Sequence, residues 1–143
     1  SRHWSEAARE IVRAVPQWRK WALLTLTAPP GWTSGTTALL GDAAHAMLPF
    51  AAQGAGMAIE DAAVLAKCLG ETQKEGGPSI SAALARYARL RRPRVSRVQR
   101  TARQSGRIYH LTGVAALARD LAIRLMGPQR MLARQDWIYG WRP

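Results

Sequence analysis

The residues from Leu39 to Asp61, LLGDAAHAMLPFAAQGAGMAIED, constrain the fold more than any other part of the chain. A short apolar run, Thr37 to Leu40, stops at Gly41-Asp42. A strand that ends this way leaves the Asp42 carboxylate at its carboxyl end, where open α/β sheets place ligands. A loop pinned by Pro49 follows, and Gln53-Gly54-Ala55-Gly56 then opens a helix with almost no side-chain bulk. The first N–H groups of a helix have no partner inside it, so a bare helix start offers donors to anions and electron-rich oxygens. One carboxylate that can accept from hydroxyls and one set of free amides are thus expected to face a common gap.

The elements on either side are read from periodicity and breakers. Trp4 to Val15 has apolar residues at the spacing of one helical face, with Ser5 as N-cap and Pro16 as the stop. Trp21 to Thr27 is rich in Leu, Thr and Trp and ends at Pro29-Pro30-Gly31, which predicts a strand and then a turn. Trp32 to Gly35 reads as loop and Thr37 to Leu40 as a short buried strand. Gly54 to Leu69 reads as a buried helix closed by Gly70 in the manner of a C′ glycine. Ser79 to about Gly106 carries one long helical pattern, with a kink expected at Pro93. Gly113 to Met126 is a further helix stopped by Gly127-Pro128, and the aromatic tail Trp137-Ile138-Tyr139-Gly140-Trp141 should dock on the rest.

Charge divides the chain in two. Residues 1–75 hold seven Lys/Arg and seven Asp/Glu, so residues 76–143, with fourteen basic and two acidic, carry the whole net charge of +12. Nine arginines lie between Arg86 and Arg107. Such a helix attracts phosphate, but no stacking or groove-reading motif accompanies it, so arginines that are solvated or ion-paired between segments are expected and a nucleic-acid partner is not. No apolar run approaches the roughly 18 residues that a membrane span needs. The single cysteine, Cys68, permits no internal disulfide and fits a cytoplasmic setting with a buried, inert thiol. The start at Ser1 suggests a trimmed or partial chain.

Gly41-Asp42-Ala43-Ala44-His45, Pro49 four residues on, and the Gln53 to Ala62 helix start closely resemble the second FAD-binding motif of the class A flavoprotein monooxygenases, a family that includes salicylate hydroxylase-like enzymes. Tyr87, Arg91, Pro93 and Arg94 match a Tyr-x-x-x-Arg-x-Pro-Arg pattern that follows this motif in the family, with Ala88 where an acidic residue is frequent. The resemblance implies that Gly41 and Asp42 bind FAD, with Asp42 on the ribityl hydroxyls. It implies that Pro49 lines the flavin face where oxygen reacts, which is the one catalytic position assigned. It implies that the amides of Ala55 and Gly56 face the flavin's pyrimidine edge, that Gly54 and Met57 also bind the cofactor, and that His45 lies beside it, hydrogen-bonded to backbone and without a proton-transfer role. No metal ligand is assigned. Gly54 and Gly56 are not read as a dinucleotide phosphate loop, because Ile59 stands at the third position and no strand leads directly into the helix.

The implied fold is an α/β fragment, predominantly helical, from the C-terminal part of a two-domain, glutathione-reductase-like FAD-binding monooxygenase. Residues 1–35 would end the substrate domain, 36–78 would carry the Gly-Asp motif and buried helix, and 79–143 would form a helical region. The implied activity is hydroxylation of a small phenolic or benzoate-type ring with FAD, NADH or NADPH, and O2. An N-terminal FAD-binding segment absent from the chain would be the partner, and the chain alone would be inactive. Two alternatives remain open at this stage: a non-catalytic helical interaction module, and a related flavin epoxidase or halogenase.

Overall fold

A computed structural model describes residues 4–26 and 31–142. Helix α1 spans Glu6–Ala14, and its N-cap Ser5 accepts from the amide of Ala8 at 3.3 Å. The expected strand at Trp21 to Thr27 does not form over its described residues. Only Leu26 makes a backbone bond there, its amide donating to Ala46 at 3.0 Å, and Trp21 and Leu24 are 77% and 80% exposed. A strand needs a neighbour, and none is present among the described residues. Thr27, Pro29 and Pro30 lie outside them.

Sheet structure is confined, among the described residues, to a hairpin of β1 (Thr33–Ser34) and β2 (Thr37–Ala38), paired antiparallel with Thr33 opposite Ala38. Residues read as loop therefore supply one strand, and the open-sheet lip expected for Asp42 is replaced by a hairpin exit. The α/β expectation reduces to this hairpin, while the predominantly helical character stands. Leu39 extends the hairpin, donating to the Trp32 carbonyl at 2.8 Å. The chain then turns at Gly41 (φ 59°) into the one-turn helix α2, Asp42–His45.

Helix α3 covers Gly54–Gly70 and α4 covers Ile80–Tyr109. Gly70 is itself helical (φ −59°), so it does not terminate α3 as a left-handed cap; the chain runs on into a 3-10 turn at Glu71–Gln73. The core lies between α3 and α4 beneath the hairpin, built on Trp32, Met57, Val64, Tyr87, Val95 and Val98. Ala62, Ala63 and Ala66 are exposed, so only one face of α3 is buried rather than nearly all of it. Leu84, Tyr87, Val95, Val98 and Ala102 form the expected buried stripe of α4, whereas Ile80 is 50% exposed. Helical structure continues unbroken through Pro93, whose ring faces outward.

Helix α5, Gly113–Ala133, is interrupted at Gly127 (φ 73°, ψ 165°), as Gly127-Pro128 foretold, and buries no residue. The tail docks: α6, Asp136–Tyr139, buries Ile138, and the Trp137 ring lies 3.8 Å from the Arg97 guanidinium carbon. Trp141 lies against both Arg91 and Arg94, at 5.0 and 4.9 Å. No helix among the described residues is long and apolar enough to cross a membrane.

Candidate functional site

Gly41 is the pivot of the motif. Its positive φ suits glycine, and a Cβ there would lie 3.3 Å from the Ala58 side chain. Its amide donates to Asp61 Oδ2 at 3.1 Å. Gly41 therefore packs against the second turn of α3 through two contacts, and Asp42 follows it at the start of α2. The Asp42 carboxylate is exposed and has no partner among the described residues.

The α3 opening has the matching polarity. The first amide of this region with a backbone acceptor is that of Met57, which donates to Gln53 at 2.9 Å. The amides of Gly54, Ala55 and Gly56 have no backbone acceptor among the described residues, and Gln53 gives no side-chain cap. A Cβ on Gly56 would come 3.0 Å from Gln53 Oε1, so bulk at this position would close the approach. Uncapped donors at the positive end of a 17-residue helix, with an exposed carboxylate on the turn that packs against the same helix, fit a ligand that brings hydroxyls and carbonyl oxygens together. Ribityl hydroxyls and a pyrimidine edge are such groups, so the residues present fit FAD. Pro49 opens the 3-10 turn Pro49–Ala51 and is exposed. The turn is held from behind by Phe50, whose ring is T-shaped to Tyr109 and His110.

Two expected site residues turn inward instead. Met57 is fully buried, its amide is taken by Gln53, and its sulfur and carbonyl face Arg91. His45 is 1% exposed, and its partner is a carboxylate rather than backbone: Nε2 lies 2.5 Å from Asp61 Oδ2, with the ring 5.5 Å from Trp32. With Asp61 ionised, His45 Nε2–H is the donor in this contact.

Asp61 itself, with Arg91, went unassigned from sequence. Arg91 Nε donates to Asp61 Oδ1 at 2.7 Å, and Arg91 Nη1 lies 2.8 Å from Glu60 Oε2. Arg94 completes the cluster, donating twice to Glu60 at 2.6 Å and to the tail carbonyls of Trp137 and Ile138 at 2.9 Å. Burial alone would raise the Asp61 pKa, but hydrogen bonds from His45, Arg91 and the Gly41 amide outweigh it and hold the carboxyl below its ordinary value. Burial pushes the Tyr87 hydroxyl far up, with the Asp61 charge adding to it, so Tyr87 is a hydrogen-bond donor to the Leu39 carbonyl (3.0 Å) and no more. Burial likewise raises the Cys68 thiol, which is inert as expected. The available signal for Asp61 was a pair of acids in an apolar helix facing a helix rich in arginine, since charges enter a core only when paired.

A family model described as an FAD binding domain matches residues 5–102. The chain is 40% identical to a salicylate hydroxylase of Pseudomonas putida over 136 residues, covering 95% of this chain and 30% of that protein. It is 42% identical to 3-amino-4-hydroxybenzoate 2-monooxygenase PtmB3 of Streptomyces platensis (96% of this chain, 33% of that protein) and 37% identical to 3-hydroxybenzoate 6-hydroxylase 2 of Aquipseudomonas alcaligenes (94% and 41%). A solved salicylate hydroxylase substrate complex superposes with a TM-score of 0.69 at 34% identity, over 96% of this chain and 32% of that one. The chain thus spans roughly a third of the length of the curated relatives it matches. FAD is the cofactor of the matched family, and relatives named as hydroxylases and monooxygenases of aromatic acids share nearly the whole chain with it: the chain belongs to the FAD binding domain family of flavoprotein monooxygenases.

Proposed function

We propose that this chain is the part of an FAD-dependent aromatic hydroxylase that holds the ribityl and pyrimidine portions of the cofactor. In this reading it is the C-terminal part of a two-domain, glutathione-reductase-like enzyme that uses NADH or NADPH and O2 on a small phenolic or benzoate-type ring, with the segment that grips the FAD pyrophosphate lying outside it. Residues 36–78 carry the site, 1–35 lead in from the substrate side and 79–143 brace it. The observation that carries the reading is that the amides of Gly54, Ala55 and Gly56 have no backbone acceptor among the described residues, while Gly41, which packs on the same helix, is followed by the exposed carboxylate of Asp42. The names of the relatives support a benzoate-type substrate.

Bound FAD supplies the transfer of reducing equivalents and the activation of O2. The chain's own residues do the rest by position. Asp42 accepts from hydroxyls and fixes the cofactor's depth. The α3 amides donate to the carbonyl edge, and the positive end of the helix favours negative charge there. Pro49 presents a rigid apolar surface with no N–H of its own, which limits water beside the reacting face. His45 donates its Nε2–H to the Asp61 carboxylate and is given no proton-transfer role.

The test is an FAD titration of the chain followed through its amide NMR signals. Signals of Gly54, Ala55 and Gly56 should shift with added FAD, and Asp42→Ala should weaken binding by about 10- to 100-fold, the worth of a charge-assisted hydrogen bond. Unmoved signals at those three positions under excess FAD would refute the assignment.

A further inference from the structure

Asp61 is a buried charged group with three partners, and nothing in the flavin site as described requires it. Its carboxylate is fully buried, and both oxygens are used. Oδ2 receives the Gly41 amide at 3.1 Å and faces His45 Nε2 at 2.5 Å; Oδ1 receives Arg91 Nε at 2.7 Å. Two of these three partners, Gly41 and His45, bracket α2 and flank Asp42 on either side. The third, Arg91, comes from the middle of α4 and is covered by the Trp141 ring of the tail.

The geometry points to Asp61 as a positioning residue for flavin binding, which fixes the Gly41–His45 turn so that Asp42 is held at the α3 opening. This inference rests on the proposed function above and deepens it. The turn is otherwise held by the buried Ala44 and by the His45 ring against Trp32, while the carbonyl of Ala46 that follows it accepts from the Leu26 amide at 3.0 Å and the Thr25 hydroxyl at 3.1 Å; none of these contacts involves Gly41, which has the backbone freedom of glycine. A carboxylate that binds both ends of a five-residue turn removes that freedom. The chain of contacts continues outward through Arg91 to Trp141, so the aromatic tail braces the same turn from the far side of α4.

The experiment measures amide hydrogen exchange and FAD binding on the 143-residue chain. It compares the unmodified protein with Asp61→Asn, Arg91→Lys, Asp42→Ala and the core control Val98→Ala. Asp61→Asn keeps the shape but loses the charge; Arg91→Lys keeps a cation but not the fork. If Asp61→Asn does not fold by circular dichroism, Arg91→Lys decides by the same readout. The expected result is that the Gly41 amide exchanges at least about tenfold faster relative to Ala88 in α4, that FAD binds about tenfold more weakly, and that Val98→Ala changes neither ratio. Asp42→Ala combined with Asp61→Asn should bind FAD no more weakly than Asp42→Ala alone, because Asp61 acts through Asp42. Gly41 protection that falls only in step with Ala88 overturns the inference. So does undiminished FAD affinity in Asp61→Asn when Asp42→Ala has lost it, and that outcome leaves the flavin site standing. An Asp42→Ala chain that binds FAD as before overturns both.

Discussion

Replacing Arg91 with Met should cost about 3–5 kcal/mol at neutral pH, the range found when one partner of a buried ion pair is removed. Arg91 is 1% exposed, and its loss leaves Asp61, 0% exposed, with only His45 and Gly41. Glu60 fares better, because Arg94 still grips both its oxygens at 2.6 Å. With roughly 0.3 kcal/mol per degree of unfolding entropy for a chain of this length, the melting temperature should fall by roughly 10–17 °C. The effect must also depend on pH. A carboxyl whose folded pKa lies below its unfolded value contributes stability that is complete above about pH 4 and is lost as pH falls through the folded pKa. Arg91 is one of the groups holding Asp61 low, so the unmodified protein loses more stability on acidification than the variant, and the gap between them narrows from pH 7 to pH 3. Urea unfolding followed by circular dichroism at several pH values measures this directly. Adding Asp61→Asn to Arg91→Met should recover at least about half of the loss, since no buried charge is then unpaired. A cost under about 1 kcal/mol at pH 7, or one that stays constant down to pH 3, would refute the reasoning.

Tyr87→Phe removes the donor to the Leu39 carbonyl and should cost about 1–2 kcal/mol in the same urea assay. In alkaline titration followed by tyrosinate absorbance, Tyr87 should ionise only well above the ordinary tyrosine range, or as the protein unfolds. Gly106→Ala would place a Cβ 2.6 Å from the Phe50 ring; the displaced ring should destabilise the fold by about 1–3 kcal/mol and raise amide exchange in the Pro49–Ala51 turn. Asp42→Ala, by contrast, should leave thermal stability within about 0.5 kcal/mol, because its side chain is exposed and makes no hydrogen bond or ion pair among the described residues. A large loss there would mean that the carboxylate serves the fold rather than a ligand.

What the sequence disclosed was local. Ser5 caps the helix it precedes, Gly127-Pro128 breaks α5, and the small residues at Gly54 and Gly56 mark an open helix start, since each depends on a few neighbours in the chain. The tail docked as expected because five consecutive residues rich in Trp and Tyr have little reason to stay in water. The misreadings share one cause, the absence of pairing information. Trp21 to Leu26 has strand composition, but composition does not supply a neighbouring strand. Thr33 and Ser34 have no such composition and pair because Gly35 (φ 56°) turns the chain back on itself. The cluster of His45, Asp61 and Arg91 joins residues 16 and 30 positions apart, so no window of sequence contained it. Met57 was grouped with the glycines it follows, although one helical turn is enough to carry it from the mouth of α3 to the core.

A crystal structure of the chain with FAD, or of a longer chain that contains it, tests the central claim most directly. The account predicts a carboxylate oxygen of Asp42 within about 3 Å of a ribityl hydroxyl and the amides of Ala55 and Gly56 within about 3.2 Å of the flavin's carbonyl edge. Flavin bound elsewhere on the chain, or Asp42 turned away from it with those amides left to solvent, would contradict it.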